Sequence, residues 1–136
     1  MDAQEIAEAF SSHRFEEAIP HLAPDVRWVV PGQGALEGHD AVAAACRTSA
    51  AEMEALSGHD LLRLVSAASG SVAVVDAVGR YVDSEGVESF VSSADVYEFD
   101  ADGRVATITS YAVEVGGPDP ASAPAGTADT GSDART

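Results

Sequence analysis

One carboxylate stands out in this chain. Residues 87–99 read as a strand, and Asp95 falls inside its run Ser93-Ala94-Asp95-Val96-Tyr97-Glu98-Phe99. Alternate residues of a strand share a face, so Ser93, Asp95 and Tyr97 point one way and Ala94, Val96 and Glu98 the other. A carboxyl group facing a cavity is suited to acid/base work or to donating a hydrogen bond. The competing reading is a buried Asp that ties down a nearby hydroxyl or backbone amide. Tyr97 either adds a hydroxyl beside it or is a core residue with a paired hydroxyl.

The other reactive side chains form no constellation. His13, His21, His39 and His59 are scattered, with no His-x-x-x-His or His-Glu pair at ligand spacing, so no metal is expected. His39, between Glu37 and Asp40, reads as a solvated helix start. Cys46 is the only cysteine, which rules out an intrachain disulfide and a multi-cysteine metal site. It lies on an apolar seam and reads as packing. Asp76 and Arg80 share a strand face and are candidates for an ion pair. On the opposite face Tyr81 joins Val75 and Ala77, which reads as packing. Gly32-Gln33-Gly34-Ala35-Leu36-Glu37-Gly38 imitates a dinucleotide fingerprint, but its third glycine comes one residue late and no βαβ pattern follows. It reads as a turn. No lysine is present for a phosphate loop, and no organic cofactor is expected.

Composition narrows the classes further. With 136 residues, 46% of them apolar, the chain suits one domain with a real core. The net charge is −16, and all seven basic residues are Arg. So acidic a surface repels phosphate backbones and anionic lipid, so neither a nucleic-acid nor a membrane partner is expected. The N-terminus, Met1-Asp2-Ala3-Gln4-Glu5, lacks the basic start and apolar stretch of a secretory signal, which makes a cytoplasmic location the expectation.

The elements that must position Asp95 follow from periodicity. Residues 1–22 read as helix: Ile6, Ala9 and Phe10 share one face, Ser11-Ser12-His13 interrupts, and Phe15, Ala18, Ile19 and Leu22 form a second stripe. Pro20 kinks or shortens that second helix, and Pro24 ends it. Val26 to Val30 is a short strand stopped by Pro31-Gly32. Residues 39–56 form a longer helix with Val42, Cys46, Ser49, Met53 and Leu56 on one seam. Strands follow over 60–67, 72–82, 87–99 and 104–115. Asp100-Ala101-Asp102-Gly103 joins the last two as a hairpin. Helices followed by consecutive antiparallel strands make an α+β layout. Residues 116–136 contain no Val, Ile, Leu or aromatic and read as a disordered tail after a domain of residues 1–115.

Three segments carry a resemblance. The hairpin Ser93 to Val105, the stretch Pro31-Gly32 through Leu36-Glu37-Gly38-His39-Asp40-Ala41-Val42, and the opening Phe10-Ser11-Ser12-His13-Arg14-Phe15-Glu16-Glu17-Ala18 resemble, in order, the nuclear transport factor 2-like superfamily. That group includes the SnoaL-like cyclases and the ketosteroid isomerases, and the match covers about residues 2–115. The resemblance implies a cone: a curved, mostly antiparallel sheet with N-terminal helices enclosing a pocket. It implies a homodimer that binds a small-molecule ligand. It turns Asp95 inward, as the oxyanion donor of the isomerases or the acid/base group of the cyclases. Trp28 and Val30 share a strand face and point inward, and Tyr97, Ile6 and Ser110 complete the expected lining. Val30 stands where the isomerases carry their base, and Ile6 where they carry their oxyanion Tyr. Neither can move a proton, so ordinary ketosteroid isomerase chemistry is not expected. Two readings stay open: a small-molecule acid/base enzyme (isomerase, cyclase, dehydratase or hydrolase) and a non-catalytic ligand-binding or dimerisation domain.

Overall fold

A computed structural model describes residues 1–124. Helix α1 (Ala3–Ser11) starts at a reciprocal cap: the Asp2 carboxylate accepts from the Glu5 N–H and the Glu5 carboxylate from the Asp2 N–H, both at 2.8 Å. Its apolar stripe buries Ile6, Ala7, Ala9 and Phe10. A short helix α2 (Phe15–Ala18) and a 3-10 turn (Ile19–His21) follow, then strand β1 (Leu22–Val30), strand β2 (Gly34–Glu37) and helix α3 (His39–Glu54). The chain continues through β3 (Gly58–Ser69), β4 (Val72–Val82), β5 (Glu88–Phe99) and β6 (Val105–Val115). The six strands form one curved, open sheet in the order β2-β1-β6-β5-β4-β3. All neighbours are antiparallel except β1 and β6, which run parallel.

The α+β class, the N-terminal helices and the four long strands match the sequence reading. The β5–β6 hairpin is where Asp100 to Gly103 placed it. The Asp100 carboxylate accepts from the N–H groups of Asp102 (2.9 Å) and Arg104 (3.0 Å), closing the loop.

Three elements differ from that reading. The second helix stops at Ala18, because Pro20 sits in the 3-10 turn, and β1 starts at Leu22. Pro24 lies inside β1 rather than ending a helix. The pairing of β1 with β6 slips between Leu22 and Arg27, and in that irregular stretch a missing N–H costs no ladder bond. The glycine-rich stretch is a hairpin: Val30 pairs with Gly34 and Arg27 with Glu37, and the Gln33 N–H donates to the Val30 carbonyl at 2.9 Å. All four residues of β2 are exposed, so the strand carries no alternation of burial to read.

The core lies between the helices and the concave face of the sheet, where Val26, Val42, Cys46, Val75, Tyr97 and Ile108 have no more than 1% exposure. Helix α1 lies across β3, β4 and β5. Gln4 donates to the Ser66 hydroxyl at 2.8 Å, and that hydroxyl donates to Glu8, which fixes the helix on β3. Val115 closes β6, and residues 116–124 form turns and bends without helix or strand. The rest of the tail, residues 125–136, lies outside the described residues.

Candidate functional site

The end of α1 meets the middle of β5. Ser11, in the last turn of the helix, donates to Asp95 Oδ2 at 2.7 Å and lies 2.5 Å from the Tyr97 hydroxyl. Ser11 has one proton, and it goes to the carboxylate. The Tyr97 hydroxyl therefore donates to Ser11, and the three groups form a directed chain, Tyr97 to Ser11 to Asp95. Tyr97 is fully buried. Burial first, and then the Asp95 charge, push its phenol well above its ordinary pKa, which keeps the proton this chain needs. Asp95 is held by a side-chain hydroxyl and faces open space.

That space is an inner cavity of about 220 Å³ between α1, α3 and the concave sheet. Asp95, Ser93 and Val91 reach it from β5, as strand alternation requires, and Ser110 reaches it from β6. Trp28 closes one side. Its indole N–H donates to Ser110 at 2.9 Å, and Phe10 packs edge-on to it at 5.0 Å. On its other side Trp28 faces a shallower groove of about 390 Å³ beside the β1–β2 hairpin, lined by Val30, Gln33, Leu36 and Ala45. Trp28 is thus the wall that the two spaces share.

The expected lining residues divide accordingly. Asp95, Trp28 and Ser110 converge on the inner cavity. Tyr97 stands behind it, touching Ser11 rather than the open space. Val30 lines the outer groove, and Ile6 is a core residue with 3% exposure. Among the lining residues that were not singled out from sequence, two are titratable and one, Ser11, orients Asp95. Tyr81, read as packing, lines the cavity next to Gly79, where an added Cβ would come within 2.5 Å of the Tyr81 hydroxyl. His13, read as one of four scattered histidines, stands at the mouth with its ring edge-on to Phe15 (5.4 Å) and Tyr81 (6.5 Å). Its sequence signal was slight: it sits in the break that ends α1, two residues after Ser11.

Other candidates separate from the site. Asp76 pairs with Arg63 at 2.9 Å, and Arg80 with Asp60 at 2.8 Å and with Glu88, so the expected Asp76–Arg80 pair does not form. Each partner on a neighbouring strand is better placed across the ladder than a residue four positions along the same strand. His39 sits in the first turn of α3, 3.2 Å from the Ile19 carbonyl. Burial pushes the Cys46 thiol up to about 11, which leaves it protonated and inert near neutral pH. Among the described residues no group of three or more potential metal ligands assembles.

A model of the SnoaL-like domain matches residues 3–108. The chain belongs to the SnoaL-like domain family. Its fold is that of the nuclear transport factor 2-like superfamily, as the sequence resemblance implied. A nuclear transport factor 2-like protein of unknown function from Cytophaga hutchinsonii is 28% identical, with a TM-score of 0.68 over 80% of this chain and 94% of that one. Two further structures share the fold. A putative polyketide cyclase from Xanthomonas campestris is 20% identical, with a TM-score of 0.59 over 78% of this chain and 83% of its own. An LEH-like epoxide hydrolase from M. tuberculosis is 17% identical, with a TM-score of 0.61 over 82% of each chain. No curated protein matches the chain. The SnoaL-like fold thus supplies the frame and does not by itself specify an activity.

Proposed function

We propose that this SnoaL-like domain is a small-molecule acid/base enzyme in which Asp95 takes a proton from the substrate and returns it. The observation that carries this reading is the setting of Asp95. Its carboxylate opens onto a cavity and is oriented by a hydroxyl that is itself anchored to a buried phenol. The bond to the Ser11 hydroxyl also fits a structural carboxylate, and the open cavity on the other side of Asp95 favours the catalytic reading. Isomerisation, cyclisation, dehydration or hydrolysis would all use such a group. The inner cavity is below the roughly 300–1,000 Å³ of pockets that hold drug-sized ligands. The substrate that reaches Asp95 is therefore small and moderately apolar, with Trp28 as its flat wall and Ser110 beside the indole. Metal and organic cofactor play no part in this reading.

The alternative is a non-catalytic ligand-binding or dimerisation domain. It is favoured by Ile6 and Val30, which are apolar where the isomerases carry catalytic groups. The convex face of the sheet supports a homodimer in either case: Val65, Val74, Tyr111 and Val113 are exposed there. Among the described residues no helix is long and apolar enough to cross a membrane.

A thermal-shift screen of terpenoids, polyketides and steroids identifies ligands, because binding to the native state raises the melting temperature. Turnover is then followed for the hits. Asp95→Asn keeps the shape of the side chain and removes its acid/base function, and kcat is expected to fall by at least about 100-fold. Full activity in Asp95→Asn sinks the proposal.

A further inference from the structure

Helix α1 ends in a paired closure. The His13 N–H donates to the Phe10 carbonyl at 3.1 Å, and the Arg14 N–H to the Ala9 carbonyl at 2.8 Å. This closure puts the residue after the C-cap in the left-handed region, where glycine is the usual occupant. Here that residue is His13, with φ of 67°, the one non-glycine residue with positive φ among the described residues. A side chain there carries a conformational cost that glycine avoids. Strain of this kind gathers at functional sites.

Among the described residues no hydrogen bond or ion pair holds the ring. It is solvent-exposed on one side and rests by edge contacts on Phe15 and Tyr81 on the other. It faces the same cavity as Asp95, and the same helix end delivers both His13 and the Ser11 hydroxyl that orients Asp95. The titratable groups around it are Asp95 on β5, Tyr81 on β4, and His59 and Asp60 on β3. Burial lowers the His13 pKa, the Asp95 charge partly opposes this, and His59 adds to the lowering. The imidazole is therefore uncharged near pH 7, with one N–H to donate.

We propose that His13 is a second catalytic residue of this site, its ring N–H donating to the substrate oxygen that becomes negative as Asp95 removes a proton. The inference rests on the acid/base reading of Asp95. The substrate's C–H bonding pair moves toward its own oxygen, and the proton goes to an Asp95 oxygen. Collapse of the negative oxygen then draws the proton back onto the product. No further reactant enters.

The test combines an NMR titration of the histidine rings with thermal melts and turnover. The His13 midpoint is expected below the ordinary 6.5, and lower still in Asp95→Asn, because the carboxylate that opposes the lowering is gone. His13→Gly is expected to melt at or above the wild-type temperature, and His13→Asn, which also tolerates the left-handed region, close to it. Both are expected to lose at least about 100-fold in kcat on a substrate that the wild type turns over. A His13 midpoint unmoved by Asp95→Asn overturns the proposal, as does a lower melting temperature in both His13 variants. Wild-type turnover in His13→Gly, with Asp95→Asn inactive, removes His13 and leaves Asp95 as the acid/base group. Full turnover in Asp95→Asn removes both readings together.

Discussion

Ser11→Ala tests whether the chain from Tyr97 to Asp95 exists as a unit. The two ends of Ser11 differ in what they lose. Asp95 faces the cavity, so its carboxylate is open to solvent on that side with or without Ser11. Tyr97 is fully buried, and its hydroxyl loses the partner 2.5 Å away. An unpaired buried hydroxyl costs about 1–3 kcal/mol. At roughly 4 °C per kcal/mol for a domain of this size, the melting temperature falls by about 4–12 °C. Tyr97→Phe removes the hydroxyl altogether and leaves Ser11 donating to Asp95, so it costs only about 0.5–1.5 kcal/mol. In the double variant nothing buried is left unpaired. Its cost therefore lies at least about 1 kcal/mol below the sum of the single changes. Urea unfolding of the four proteins measures the cycle. Additivity within about 0.5 kcal/mol, or a smaller loss for Ser11→Ala than for Tyr97→Phe, would refute the reasoning.

Two further outcomes follow from the same geometry. Trp28→Ala removes the wall between the inner cavity and the outer groove, so a tetracyclic steroid that leaves the wild-type melting temperature unchanged is expected to raise that of the variant; no shift in Trp28→Ala would show that some other wall limits the cavity. The His13 pKa is lowered in the folded state, so the unfolded chain binds more protons just below pH 6.5. This contribution to stability is present above 6.5 and is lost as pH falls through the folded value. Melting temperatures recorded from pH 7.5 to 5 are expected to fall less steeply for His13→Gly than for wild type, and parallel profiles would contradict the assignment.

Much of the frame was legible because it rests on local rules. The stripe of Ile6, Ala9 and Phe10, the seam through Val42 and Cys46, and the alternation around Asp95 each reflect one element burying one face. Strand β2 was illegible for the matching reason: it is four residues long and buries nothing. The parallel pairing of β1 with β6 joins residues about 80 positions apart, and no local pattern encodes such a contact.

The site divides along the same line. By itself the sequence determined the α+β class, the inward face of β5 that carries Asp95 and the SnoaL-like frame around it, because alternation and motif are properties of neighbouring residues. Only the tertiary structure decided what Asp95 touches. Ser11 lies 84 positions away from it, and the hydrogen bond from Trp28 to Ser110 spans 82. It also turned Tyr97 from a lining residue into buried backing and brought His13 and Tyr81 to the cavity. Those outcomes depend on how α1 lies across the curved sheet and where its last turn ends. The packing of the whole core sets that placement, and no single segment carries it.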